Sequence, residues 1–202
     1  WEFYKSEAAK YLDDIVRIYV LYRNDNLGDI ELEKELLDKV AALLYDETEM
    51  DINIVLDYDN LKEEISRMVI DKTKRTKQNE IKNNKLLSSK DLRDNLLTGF
   101  TSGLYMHFRK LYNDIQLGIN KEVNLQYKIA NFYFIREFCY GSMFRYNSSG
   151  EFNIPYGGIS YNKKDLGRKL EQIFSKETVE LFKNTDIYDL DFEDFLDKIE
   201  LT

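Results

Sequence analysis

Apolar residues recur at three- and four-residue spacing through most of this chain, the pattern of helices that bury one face. Ala8, Leu12, Ile15, Val16, Tyr19 and Val20 predict an amphipathic helix over 5–22, opened near Ser6 and Glu7 and stopped by the polar run Arg23 to Gly28. Leu32, Leu36, Val40, Leu43 and Leu44 predict a second helix over about 30–45, closed by an acidic break, Asp46 to Asp51. Ile52 to Leu56 has the composition of a strand but no neighbouring partner strand, and reads as helix or extended connector. Leu61, Ile65, Met68 and Val69 mark a third helix with a polar, basic tail, Asp71 to Asn79. Ser89 to Asp91 opens another, carrying Leu92, Leu96 and Leu97. Phe100, Leu104, Phe108, Leu111, Tyr112 and Ile115 then form a heavily apolar helix face. Asn124 to Phe138 predicts a further helix with Ile129, Phe132 and Tyr133. From Met143 to Tyr161 the period falls to near two, around a turn at Asn147-Ser148-Ser149-Gly150, which predicts a β-hairpin. Leu166 to Phe174 returns to helix, and Val179 to Leu190 fits strand or helix. The expected fold class is mainly α: a helical domain bearing an antiparallel β-hairpin. Its expected divisions are a helical region (1–142), the hairpin (143–164), and a closing stretch of helix with room for a strand (165–202).

Composition supports helix and narrows the chemistry. Pro155 is the only proline in 202 residues, where average usage would give about ten. Gly141, Gly150, Gly157 and Gly158 gather around it, so helical logic is suspended in that stretch, and function is sought there first. The single cysteine, Cys139, excludes an intrachain disulfide and a Cys-rich zinc site. Its apolar context reads as a buried small hydrophobe. The single histidine, His107, lies on the apolar helix beside Phe108 and reads as a structural residue, which removes most His-based catalysis and metal binding. No apolar run reaches the roughly 18 residues of a membrane helix. The absence of a signal-peptide pattern favours the cytoplasm. The chain starts at Trp1, as expected of a processed or trimmed chain or a piece of something longer.

The formal net charge of −8 hides a segregation. Residues 1–70 carry 18 acidic and 8 basic residues, and residues 177–202 carry 9 and 2. Between them, residues 71–94 hold 8 basic against 4 acidic, and residues 95–176 hold 11 against 6. An acidic total ordinarily argues against nucleic acid, but binding follows the local field. The tract Lys72 to Lys90 reads as a solvated loop, or else as an arm along a phosphate backbone. The acidic run Asp186 to Asp197 lacks the glycine of a calcium loop and reads as a solvated face.

The stretch Cys139 to Lys164 concentrates aromatics, Met143, Arg145, Lys163, Lys164, Asn147, Asn153, Ser160 and Asn162 between two turns. Base edges call for Arg, Asn and apolar contacts on a projecting element, and a two-stranded ribbon fits a major groove. Phosphates call for Lys, Arg, Ser and backbone N–H groups. An aromatic beside a glycine can wedge between bases. A plain surface hairpin, with aromatics packed on the helices, accounts for the same residues.

The run Phe144-Arg145-Tyr146-Asn147, followed by Gly150-Glu151-Phe152-Asn153-Ile154-Pro155-Tyr156-Gly157, resembles the RYN..GEFN.P(F/Y)G motif of Dam-like DNA adenine methyltransferases, with matching spacing. The resemblance spans about Tyr127 to Leu166; a weaker likeness covers Lys183-Asn184-Thr185-Asp186-Ile187. It implies a parent enzyme that transfers a methyl group from S-adenosylmethionine to the exocyclic amine of adenine in duplex DNA. Such enzymes carry a Gly-rich cofactor loop and a DPPY-type tetrapeptide. Neither is present in this sequence, which contains no Asp-Pro at all. The chain therefore resembles the target-recognition region inserted between those motifs. No catalytic residue, no metal and no cofactor are expected in the chain alone, which should be inactive.

By resemblance, Arg145 matches an arginine that reads bases, Met143 and Pro155 match residues that pack on bases, and Tyr140 matches an aromatic that enters the duplex near the target adenine. Asn147, Asn153, Tyr156, Lys163 and Lys164 complete the expected DNA-binding set, and Asp186 is the one residue assigned to the cofactor, near its adenine. Two positions depart from the family. Gly158 stands where many relatives carry an arginine that helps fix GATC specificity, and Gly141 where an asparagine is frequent. The implied partner is double-stranded DNA, with room for a restriction endonuclease counterpart and no role for a membrane. A non-enzymatic DNA-binding module, or a helical protein–protein interaction domain using the acidic helices of residues 1–70, are the alternatives.

Overall fold

A computed structural model describes residues 1–45, 52–120 and 123–199. The expected acidic break Asp46 to Asp51 lies outside these residues. The chain divides into two units, residues 1–164 and 165–202.

The first unit is built on two long antiparallel helices. α1 (Glu2–Lys10), α2 (Leu12–Arg23), α3 (Asp29–Tyr45) and the short α4 (Ile52–Val55) precede α5 (Tyr58–Asn83) and α6 (Ser89–Gln116); α7 (Leu125–Phe138) follows. At 1.5 Å per residue, α5 and α6 each run about 40 Å. Each starts where the sequence supplies a cap. The Asp57 carboxylate accepts the Asn60 N–H at 2.9 Å, and the Ser88 hydroxyl oxygen accepts the Asp91 N–H at 3.1 Å while donating to the Asp91 carboxylate at 2.7 Å. α5 ends at Asn84, in the left-handed conformation that a short polar side chain tolerates.

Two glycines inside α6 set how closely α5 and α6 approach. A Cβ at Gly103 would overlap the Ile65 Cα, and one at Gly99 would stand 3.0 Å from the Val69 Cα. Mid-helix glycine costs about 1 kcal/mol of helix propensity. Here it brings two backbones into contact along a seam that also buries Leu61, Ile65, Val69, Leu96 and Phe100. α2 and α3 cover this pair with Ile15, Tyr19, Leu32, Leu36 and Val40. The Tyr4 hydroxyl ties α1 to α6 by donating to the Phe100 carbonyl at 3.0 Å.

The expected single helix over 5–22 is two, broken at Tyr11. The two apolar runs over 89–115 are one helix. The basic tail after Val69 is α5 itself, helical to Asn83. His107 is buried, with its Nδ1 2.9 Å from the Asn60 side-chain oxygen and its Nε2 2.9 Å from the Val55 carbonyl. Burial holds its pKa below the usual imidazole value.

The second unit holds α8 (Leu166–Ile173), α9 (Lys176–Lys183) and α10 (Phe192–Lys198). Asp165, Ser175 and Asp191 cap them. No side chain among its described residues is buried, and Phe174, Leu181, Phe182 and Phe192 are well exposed. Of the two readings open for Val179 to Leu190, strand or helix, the structure has helix as far as Lys183 and no strand among the described residues.

The fold is mainly α, and the expected β-hairpin is corrected: the described residues contain no β-strand. The segment 139–158 forms an irregular loop with two isolated antiparallel bridges, Cys139 to Tyr156 and Tyr146 to Phe152. The reason is register. Tyr140 N–H donates to the Pro155 carbonyl at 2.8 Å, whereas farther along Asn153 N–H donates to the Arg145 carbonyl at 3.3 Å. Residues 141–144 on one branch thus face Ile154 alone on the other. A ladder requires a constant offset, and the extra residues are taken up in a tight turn where Gly141 and Ser142 both have positive φ.

Candidate nucleic-acid interface

The loop is shaped from behind by α6. Tyr105 donates its hydroxyl to the Ile154 carbonyl at 2.9 Å, and Arg109 Nη1 reaches the same oxygen at 3.2 Å. Asn113 makes two bonds to Phe152: its Oδ1 accepts the N–H at 2.8 Å and its Nδ2 donates to the carbonyl at 3.1 Å. The hydroxyls of Tyr112 and Tyr146 meet at 2.8 Å. Residues 105, 109 and 113 are four apart, so they form one polar stripe along the helix. Higher up, Thr101 donates to Asn162 Oδ1 at 2.8 Å, and Asn162 Nδ2 donates to Thr98 at 3.0 Å. Backbone groups that a partner strand would have satisfied are satisfied by helix side chains instead.

This arrangement sorts the nine residues expected at DNA. Tyr140, Met143, Arg145, Pro155 and Lys163 are exposed. Arg145 Nε donates to Asn153 Oδ1 at 3.3 Å, and its guanidinium makes no ion pair with any described residue. Asn153 is half-buried by that contact.

The other three turn inward. Asn147 Oδ1 accepts the N–H groups of Ser149 at 3.0 Å and Glu151 at 2.9 Å, and its Nδ2 donates to the Glu151 carboxylate at 2.9 Å, so it builds the turn. Tyr156 is only 8% exposed. Its ring lies near Tyr105 (5.7 Å), Trp1 (6.2 Å) and Phe138 (6.4 Å), its hydroxyl donates to Asn162 at 2.7 Å, and burial raises its pKa. That burial withdraws it from a surface role. Lys164 is held over the Tyr161 ring at 4.2 Å and pairs with Glu137 at 3.8 Å.

Gly158 has φ 86° and ψ −161°. Only glycine adopts that region readily. An arginine at this position would strain the backbone.

The tract considered as a phosphate arm is turned toward protein in part. Lys74 pairs with Glu33 at 2.7 Å. Lys77 donates to the Tyr22 carbonyl at 2.7 Å, pairs with Asp25 at 2.6 Å and lies 4.2 Å over the Tyr22 ring. Lys72 is half-buried, which lowers its pKa. Asp186, assigned to the cofactor, is exposed between α9 and α10 and lies on no strand.

The residues missed in the sequence are those of α6: Tyr105, Arg109 and Asn113. The available signal was polar and amphipathic side chains spaced four apart on a helix otherwise read as apolar.

No family model matches the chain, and no solved structure matches it. Among the described residues no His, Cys, Asp and Glu group could hold a metal, and no helix is long and apolar enough to cross a membrane. One curated protein, the type II methyltransferase M.CviBI of Paramecium bursaria Chlorella virus NC1A, is 36% identical over 58 residues. The matched stretch is 28% of this chain and 22% of that protein. Over that part, the chain is similar to a type II methyltransferase, distantly and partially.

Proposed function

We propose that this chain is the target-recognition region of an adenine-specific DNA methyltransferase, and that the loop 139–164 reads duplex DNA. The observation that carries the reading is an exposed set, Tyr140, Met143, Arg145, Pro155 and Lys163, on a loop whose backbone is anchored to α6 on its other side. The partial likeness to a type II methyltransferase supports it. The chemistry fits. A guanidinium donates two hydrogen bonds to a guanine edge, and Met143 and Pro155 offer apolar contact to base faces and thymine methyls. Tyr140, exposed beside the turn at Gly141, would wedge between bases. Lys163 meets phosphate.

The parent enzyme would flip the adenine out of the stack before methyl transfer, because the amine cannot be attacked inside the duplex. S-adenosylmethionine would supply the methyl group. These residues do not fit that cofactor by themselves: the exposed Asp186 carboxylate forms no enclosed wall. Cofactor binding and chemistry are assigned to other parts of the parent enzyme.

The test is duplex binding by the purified chain, followed by fluorescence anisotropy at low and moderate salt. The logarithm of affinity should fall linearly with log salt, and a randomised duplex pool should yield a preferred sequence. The chain should transfer no methyl group from S-adenosylmethionine. An absence of duplex binding overturns the reading in favour of a protein-interaction domain, and methyl transfer by the chain alone overturns the assignment of chemistry to another region.

A further inference from the structure

The two bridges of the loop differ in register, so neither supports the other. Short, irregular pairings specify register weakly. At the distal bridge the loop's own Asn147 N–H to Glu151 carbonyl bond is joined by two side chains of α6, Tyr112 on the Tyr146 hydroxyl and Asn113 on the backbone of Phe152. The Asn113 amide binds both the N–H and the carbonyl of Phe152, the pair of bonds that an adjacent strand would make. The Phe152 ring is 1% exposed, with Phe144 at 5.2 Å and Tyr112 and Tyr146 each at 5.9 Å. The next residue, Asn153, receives the Arg145 Nε on its side chain and donates its own N–H to the Arg145 carbonyl. A short path therefore runs from the helix through one clamped peptide to the exposed guanidinium.

We infer that Asn113 is a positioning residue for base recognition: its two-bond clamp on Phe152 fixes the register of residues 144–154 and thereby aims Arg145. This rests on the reading of the loop as a DNA-binding surface. Asn113 itself need touch no nucleotide. A guanidinium can make two bonds to a base edge only if its plane is held in that edge, so loosening the loop should cost selectivity before it costs general affinity.

The experiment compares the 202-residue chain with Asn113→Ala, Asn113→Asp, Arg145→Ala and Leu36→Ala. Leu36 is fully buried on α3, so its variant controls for loss of stability elsewhere. Asn113→Asp keeps an acceptor for the Phe152 N–H and loses the donor to the carbonyl. Each protein is melted and then used to select from a pool of duplexes with a randomised centre.

The expected result is a roughly tenfold loss of preference for the selected sequence in Asn113→Ala, at the same base position that Arg145→Ala affects. Asn113→Asp should fall between Asn113→Ala and the parent chain. Leu36→Ala should keep its preference despite a lower melting temperature. If Asn113→Ala does not fold, Asn113→Asp carries the same comparison. Full preference in the Asn113 variants alongside a loss in Arg145→Ala overturns the positioning role and leaves the DNA reading standing. Equal loss in Leu36→Ala also overturns it, as an effect of stability alone. If the parent chain selects no sequence, or Arg145→Ala loses nothing, both readings fall together.

Discussion

Two basic stretches of this chain look alike as sequence and differ as structure. Residues 71–94 hold an excess of Lys and Arg among Asn and Ser, and so does the loop that ends at Lys164. In the first, Lys74 and Lys77 are spent on Glu33 and Asp25 of the acidic N-terminal helices and turns. In the second, Arg145 and Lys163 face outward. The count of cations is a property of the segment. Their availability depends on whether acids sit across the interface, and those acids lie 41 and 52 residues away in sequence. The loop repeats the lesson within itself, since Lys164 is drawn to Glu137 and its neighbour Lys163 is exposed.

The largest effect expected from the first stretch comes from its buried acid. Glu80 is 5% exposed, accepts the Tyr19 hydroxyl at 2.7 Å and the Leu87 N–H at 2.7 Å, and lies 3.9 Å from Arg23. Glu80→Ala leaves a buried hydroxyl and a backbone N–H without acceptors, which costs about 2–4 kcal/mol. For a domain of this size the melting temperature should drop by roughly 5–15 °C, with the DNA sequence preference intact. An unchanged melting temperature would remove Glu80 as the anchor of this stretch.

The converse substitution is Arg145→Ala. It should cost about 1–3 kcal/mol at one base position and leave the melting temperature unchanged. A uniform loss over all duplexes would make Arg145 a phosphate contact. An unchanged profile would leave the loop as packing alone.

These two variants also mark what was legible in the sequence. The helices were, because Leu32, Leu36, Val40 and Leu43 repeat with the helical period and Asn124 opens its helix where the sequence reading put it. The loop was located but misread as a hairpin. Phe144, Tyr146, Phe152, Ile154 and Tyr156 alternate as in a strand, and alternation is what a strand pattern reports. The backbone partners of Phe152 and Ile154 are side chains of α6, however, and nothing local in the sequence encodes the hydrogen bonds between Asn113 and Phe152. The burial of Tyr156 was not legible for the same reason: it depends on Trp1, Tyr105 and Phe138, which the fold gathers from other parts of the chain. Lys77 looked available because Asp25 lies far from it in sequence.

A smaller effect separates the two stretches by salt. Lys163→Ala should weaken binding to all duplexes alike and reduce the slope of log affinity against log salt by about one. Lys74→Ala, whose ammonium is already paired with Glu33, should leave that slope as it is. Slopes that change equally would show that the first stretch also reaches phosphate.

The smallest effect is the most discriminating test of the comparison, because it asks what the inward lysines contribute. Lys77 is mostly buried along its side chain, whereas Asp25 is 86% exposed. An ion pair with one partner in water is worth about 0.2–1 kcal/mol. The Lys77 ammonium also donates to the Tyr22 carbonyl and lies over the Tyr22 ring, contacts that do not depend on Asp25. Asp25→Ala should therefore lower stability by less than Lys77→Ala, and a double-mutant cycle between them should give a coupling below about 1 kcal/mol. High salt should shrink that coupling and leave most of the Lys77→Ala loss in place, because the carbonyl and ring contacts are sheltered from screening. The readout is chemical denaturation of the four proteins at two salt concentrations. A coupling that accounts for the whole Lys77 loss would mean that this lysine is held by charge alone, and a phosphate could then compete for it, which would erase the distinction between the two stretches.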